Sequence, residues 1–198
     1  MTALAAIDAC RRPSPSGPAF VEADVDTFRA AMRHLASGVC LVTHSVGGAP
    51  AGMTAVASLS LDPPTLIVCL NRAASTYAGL APGTAFGVSV LAADHRELAE
   101  RFAGRTGAEG AECFREGRWL IPPSGAPLLW DAIAAFECEV EDIVERHTHA
   151  IVIGRVKRAA AGAGGGALVY WRGGYDQLGW SRDELSRATG LSPRNARR

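Results

Sequence analysis

Neither sign of charge predominates in this 198-residue chain, which holds 20 basic and 20 acidic residues. Such a balance offers no counterion-releasing surface to nucleic acid and no attraction to an anionic membrane. The expected partners are therefore small molecules or another protein. No apolar run approaches the ~18–20 residues that a spanning helix needs, and the opening MTALAAIDAC has no basic leader of the kind that starts a signal peptide. Cysteine is sparse and odd in number, five residues without a C-x-x-C pair. Cys40, Cys69 and Cys138 lie inside apolar, strand-like runs, so they read as reduced core thiols of a cytoplasmic protein and not as a disulfide framework. Also missing are a P-loop, a hydrolytic triad and a convincing set of metal ligands.

The length suits one domain with a proper core. Its expected body spans residues 24–180. Residues 1–23 read as a flexible tail, because Arg11-Arg12-Pro13-Ser14-Pro15-Ser16-Gly17-Pro18 cannot bury enough surface to order itself. Residues 181–198 read as a short helix, Ser181–Ala188, followed by a frayed end. From Asp24 a helix is predicted, with Phe28, Met32 and Leu35 at helical spacing as a core stripe and Gly38 placed to end it. A strand over Val39–Val46 then turns at Gly47-Gly48 into an antiparallel partner. His44 is expected on the outer half of that strand.

The partner is the stretch with most to say: Ala51–Arg72, AGMTAVASLSLDPPTLIVCLNR. Met53–Leu61 reads as a strand of small and hydroxylated residues, whereas Thr65–Leu70 is a continuous apolar run suited to burial on both faces. Asp62-Pro63-Pro64 stiffens the turn between them. Small side chains admit a flat ligand, hydroxyls and backbone N–H groups supply donors, and Arg72 can meet an anion. An ordinary hairpin with solvated Ser and Thr satisfies the same pattern. Beyond it, a short helix from Ser75 to Leu80, capped by Ser75 or Thr76, would point free N–H groups toward the surroundings of Arg72.

Thr84–Leu91 is a predicted buried strand, followed by a helix over Asp94–Phe102 that starts with a capping-box-like Asp94 and Glu97. Residues 104–125 are a glycine-rich excursion, a possible lid or dimer contact. Ala134–Glu145 alternates Phe136, Cys138 and Val140 against Glu137, Glu139 and Glu141, which is a half-exposed strand and not a catalytic carboxylate pair. His147 and His149 share one side of the approach to the strand Ala150–Val156, too few ligands for a metal. Gly162–Ala167 matches a dinucleotide-binding fingerprint, but a strand follows where a helix is required. It reads as a hairpin connection. Leu168–Trp171 and Gly174–Leu178 form a last hairpin around Arg172-Gly173.

GMTAVASLSLDPP, the strand ending Cys69-Leu70-Asn71-Arg72, Phe86–Leu91 (FGVSVL), Leu98–Gly104 (LAERFAG), His149 with Gly154-Arg155-Val156, and Leu168–Leu178 (LVYWRGGYDQL) occur in one order over roughly residues 25–178. This series resembles the flavin reductase family of two-component monooxygenase systems. The likeness implies an FMN-binding split barrel, mainly β with peripheral helices and a Greek-key-like antiparallel order, commonly a homodimer with flavin near the subunit interface. Family members usually carry two more residues before Ser58, so polar contacts there are fewer in this chain.

What the resemblance implies for function is an NAD(P)H-dependent flavin reductase that passes hydride from NADH or NADPH to FMN or FAD and supplies reduced flavin to a separate monooxygenase or halogenase. The implied cofactor contacts are Met53, Thr54, Ala55, Ser58, Ser60, Leu61, Asn71, Arg72, Ser75, Thr76, Phe102 and Tyr175, with Arg172 a further candidate. His149 inherits the position associated with the nicotinamide side. A flavin-retaining oxidase on the same fold, a flavin- or haem-binding module and a partner subunit with an empty site are the alternatives.

Overall fold

In the computed structural model the described residues are 20–44, 51–54, 56–162 and 165–180, and the chain divides into two units, residues 1–34 and 35–198. The expected tail, the Gly47-Gly48 turn and the helix Ser181–Ala188 fall wholly or mostly outside the described residues. In the first unit, α1 (Val25–Met32) begins at Asp24, whose side chain accepts the Thr27 N–H at 2.7 Å. This hydrogen bonding lowers the Asp24 pKa. The helix stops six residues short of Gly38 and buries none of its residues; Phe28 is 60% exposed. The stripe expected to be core is thus open to solvent.

The second unit carries β1 (Ser37–Gly38), β2 (Cys40–His44), β3 (Ala51–Thr54), β4 (Val56–Leu61), β5 (Pro64–Asn71), α2 (Ser75–Ala78), β6 (Ala85–Val90), α3 (Arg96–Phe102), β7 (Trp119–Leu120), β8 (Leu128–Leu129), β9 (Ala134–Arg146), β10 (His149–Ala161), β11 (Ala167–Trp171) and β12 (Gly174–Leu178). Seven strands form one antiparallel sheet in the order β3-β2-β6-β9-β10-β5-β4. Its two outermost strands are consecutive in the chain, with residue 55 alone between them. Consecutive Cα atoms lie ~3.8 Å apart, so the two edges must approach each other there, yet no ladder joins them. The sheet is a barrel left split along one seam.

The two halves of Met53–Leu61 pair with different strands. Cys40 of β2 is the partner of Thr54, whereas Val68 of β5 is the partner of Val56. They lie at opposite edges of the sheet.

Two apolar clusters hold the unit. Val42, Leu66, Val68, Leu70, Phe86, Val88, Cys138, Val140 and Val152 fill one, while Leu41, Leu91, Leu98, Phe102, Leu129 and Leu168 belong to the other. Alternate residues of β2 enter different clusters, which is why every residue of that strand is buried. Burial pushes the thiols of Cys40 and Cys138 up to about 11 and about 12. Both are inert at neutral pH.

The long β9–β10 hairpin alternates as its sequence predicts, but its carboxylates are not merely solvated. Glu141 meets Arg155 at 2.5 Å, Glu139 meets Lys157 at 3.4 Å, and Glu137, which is buried, pairs with Arg158. Residues 104–125 are no loose excursion either. Phe114 and Trp119 meet Phe102 with ring centroids 5.3 and 5.8 Å away, so that segment is fastened to the second cluster. The last hairpin closes as expected, with Arg172 and Gly173 at φ of 51° and 86° and β11 also pairing with β1.

Gly154 lies where β10 passes over the fully buried Phe86, and a Cβ there would stand 2.3 Å from the ring. Gly154→Ala is expected to lower stability by about 1–3 kcal/mol, as overpacking does in a filled core. Gly38→Ala, at a site with nothing within 4 Å of the added carbon, is expected to change it by less than about 0.5 kcal/mol. Thermal unfolding of the two variants checks both.

Candidate functional site

The seam is the natural place to look for a ligand, because its two strands each pair on one side only. Along the other side β3 and β4 carry backbone N–H and C=O groups that no ladder uses. Helices α2 and α3 both lie against β3. Val56 is half-buried, and Ala57, Ser58 and Leu59 are exposed. A bulge between Ser58 and Ser60 leaves Leu59 without a cross-strand partner.

Ser60 has a structural task. Its hydroxyl donates to the Asp62 carbonyl at 3.1 Å and accepts the Asp62 N–H at 3.2 Å, while Thr65 donates to the Pro63 carbonyl at 3.0 Å. These bonds fix the turn whose pairing runs from Leu61 directly to Pro64. Leu61 is 87% exposed at the turn. Met53 and Thr54 are placed by the backbone of β3, and Ala55 lies outside the described residues.

A second group of expected residues meets where β5 ends. The Asn71 side chain accepts the Ala73 N–H at 2.9 Å and its carbonyl accepts the Ala74 N–H at 3.0 Å. This turn starts α2. The helix cap is Ala74, with no side-chain bond, so neither Ser75 nor Thr76 caps it as expected. Ser75 is exposed, whereas Thr76 is 1% exposed and its hydroxyl has no hydrogen-bond partner. The Thr76 carbonyl accepts from Nε2 of His44 at 2.8 Å.

His44 is fully buried and not on the outer half of its strand. Burial lowers its pKa, opposed by that hydrogen bond. A neutral imidazole donating through Nε2 therefore ties β2 to α2.

Arg72 is held from three directions. Its backbone N–H donates to the Thr148 carbonyl at 3.0 Å, its Nη1 donates to the His147 carbonyl at 3.1 Å, and its Nη2 lies 2.8 Å from Glu145. The other Glu145 oxygen accepts from the Tyr77 hydroxyl at 2.5 Å, which raises the Tyr77 pKa. His149 stands beside Asn71 in the ladder, exposed, its Nδ1 2.9 Å from the Thr148 hydroxyl. His147 occupies the turn at φ 50°, so the two histidines do not share one strand side as expected. Among the described residues no three His, Cys, Asp or Glu side chains form a metal-holding group.

Phe102 and Tyr175 form a third group. Phe102 is 8% exposed in the second cluster, and Tyr175 packs against that cluster, with Tyr170 at 5.3 Å and Arg105 over its ring at 5.4 Å. Arg172 lies over Trp171 at 4.4 Å.

Two cavities among the described residues lie elsewhere. One of about 510 Å³ is lined by Asp94, His95, Glu100, Arg101 and Asp131 among others. Another, of about 520 Å³, is lined by Ile121, Trp130, Glu137 and Arg158 among others. Neither includes a residue expected to touch flavin, and Tyr175 lines a recess of about 220 Å³. Sequence reasoning missed Glu145, Tyr77 and the buried role of His44. Only the final carboxylate of an alternating row marked Glu145, and nothing local marked its partners.

A mostly β chain with an antiparallel seven-stranded sheet, whose outermost strands are consecutive, has the fold of the flavin reductase class of oxidoreductases. The chain belongs to the flavin reductase like domain family, which it matches over residues 32–179. It is 42% identical over 160 residues to the FMN reductase (NADH) RutF of Methylorubrum extorquens strain DM4, covering 78% of this chain and 76% of that protein. Its fold resembles BorF, the flavin reductase component of a bacterial two-component tryptophan halogenase, with a TM-score of 0.72 and 33% identity over 79% of this chain and 99% of that one. It also resembles the styrene monooxygenase flavin reductase of Pseudomonas putida S12, with a TM-score of 0.67 and 28% identity over 76% and 96%.

The buried imidazole gives a pH prediction. The His44 pKa is lowered from 6.5 in the folded chain, so its contribution to stability is complete above that value and is lost as pH falls from it toward the folded pKa. The thermal midpoint is expected to drop between about pH 7.5 and about pH 5. In His44→Gln, whose amide nitrogen can still reach Thr76 without titrating, the drop is expected to be smaller. Midpoints across that pH range for the two proteins check it.

Proposed function

We propose that the protein reduces FMN with NADH and releases the reduced flavin to a separate flavin-dependent monooxygenase or halogenase. The observation that carries this reading is the seam: two consecutive strands, unpaired with each other, flanked by two helices and walled by the small, exposed Ala57 and Ser58. An isoalloxazine ring needs a flat wall and hydrogen-bond groups along its polar edge, and the free sides of β3 and β4 offer both. The unpartnered hydroxyl of buried Thr76 and the exposed Ser75 extend the polar path toward Arg72. These residues fit a phosphorylated flavin.

FMN is preferred to FAD, and NADH to NADPH, because the RutF relative at 42% identity is an FMN reductase (NADH). The separate oxygenase follows from the neighbours that serve a halogenase and a styrene monooxygenase.

When bound, the flavin supplies the redox chemistry by accepting hydride from the nicotinamide. The chain's own part is to stack, orient and screen. Backbone N–H groups of residues 53–60 hydrogen-bond the ring and favour negative charge arriving on it. Arg72 and Ser75 receive the phosphate. His149, exposed beside Asn71, orients the nicotinamide or shields it from water. Leu61, Phe102 and Tyr175 border the ring or stiffen its surroundings. A homodimer would cover the open wall from a second copy, and a cytoplasmic setting accords with four free cysteines among the described residues.

NADH oxidation under air, followed at the reduced-nicotinamide band, is expected to require added FMN and to saturate with it. Flavin retained through turnover would favour an oxidase instead, and colour without oxidation a carrier. His149→Ala is expected to lower kcat/KM for NADH about tenfold, or about 1.4 kcal/mol, with FMN affinity retained. Unchanged NADH kinetics would remove His149 from that role.

A further inference from the structure

The corner that presents Arg72 also holds a carboxylate against it. Glu145 uses both oxygens there, one 2.8 Å from Arg72 Nη2 and one accepting from the Tyr77 hydroxyl. Tyr77 belongs to α2, Arg72 follows β5, and Glu145 lies near the end of β9. The carboxylate is therefore anchored by two elements and is not a wandering surface charge. A third bond, from Arg72 Nη1 to the His147 carbonyl, takes another guanidinium donor. Arg72 and Glu145 remain 44% and 48% exposed, so an anion in solution can reach the pair.

A phosphoryl group arriving at Arg72 meets a cation whose charge is already balanced. It must displace the Glu145 oxygen or accept a like charge beside it, and either choice weakens binding. A flavin without phosphate feels neither. We propose that Glu145, steadied by Tyr77, is an internal competitor for Arg72 that loosens the hold on phosphorylated flavin and so sets how readily FMN leaves. The inference rests on the reading that Arg72 receives the flavin phosphate. It adds a specificity-determining residue that does not itself touch the ring.

The test is titration of the full chain with FMN and with riboflavin, which share the ring and ribityl chain and differ in the phosphate. Glu145→Gln keeps size and can still bond Tyr77, while removing the competing charge. Its Kd for FMN is expected to fall about two- to fivefold, the span of a partly exposed ion pair, with the Kd for riboflavin unchanged. In an Arg72→Met background the same substitution is expected to leave the FMN-to-riboflavin ratio where Arg72→Met alone puts it. A selective gain that survives without Arg72 overturns the inference, as does an equal change for both flavins or none for FMN. Glu145→Ala provides a second removal of the charge, and its failure to shift the ratio counts equally against the idea. Binding of neither flavin by the wild-type chain would overturn the flavin reading and this inference with it. Binding of both, with a ratio that Arg72→Met alters and neither Glu145 substitution does, would overturn only this inference, whereas a ratio unaltered by Arg72→Met would overturn the assignment of Arg72 to the phosphate as well.

Discussion

A single residue separates two strands that pair at opposite ends of one sheet. Thr54 finishes a ladder with β2, and Val56 begins one with β5, so the sheet must curl until its ends almost meet. Closing the barrel would require β3 and β4 to pair with each other. A one-residue connection cannot reverse the chain into an antiparallel hairpin, whose shortest common loops have two residues. The seam is therefore enforced by connectivity and does not depend on any one side chain. Edge strands are commonly a hazard because their free groups recruit other chains. Here the bulge at Leu59 interrupts the regular run of β4.

That constraint accounts for the position of everything nearby. The Ser60 hydroxyl and the Thr65 hydroxyl brace the turn, β5 then delivers Asn71 and Arg72, and the Asn71 turn starts α2. His44 ties α2 back to β2 from inside, while the β9–β10 turn docks on Arg72 through two carbonyls, those of His147 and Thr148. The corner is held by hydrogen bonds from four separate segments. No member of this set is arranged as a nucleophile or an assembled general base, which suits chemistry that belongs to bound cofactors.

Much of the architecture could be read from local pattern. The apolar run of β5, the alternation of β9 and the tight turn at Arg172-Gly173 each depend on residues close in sequence, and each appears as read. Other features depend on distant partners. His44 has no local mark of burial, because its hydrogen bond is to Thr76, 32 residues on. Glu145 looks like the end of a solvated row until the fold brings Arg72 and Tyr77 to it. Phe28 and Met32 have the spacing of a core stripe, but periodicity names a face without naming what covers it. The change of partner between Thr54 and Val56 was hidden for a similar reason, since small residues continue through it and only the ladders show that the two halves lie at different edges.

The pairing of Arg72 bears on how tightly a flavin is held. A ligand charge is met most strongly by a group that has no other partner. In this chain several expected contact residues have internal bonds, and the Arg72 guanidinium faces a carboxylate. A contact made by Arg72 therefore competes with one the protein already makes, so its net gain is the difference between two similar interactions. Small differences give modest affinity and rapid exchange. In the proposed role, where reduced flavin passes to a separate oxygenase, that weakness would be functional: the bonds that hold Arg72 would also let the flavin go.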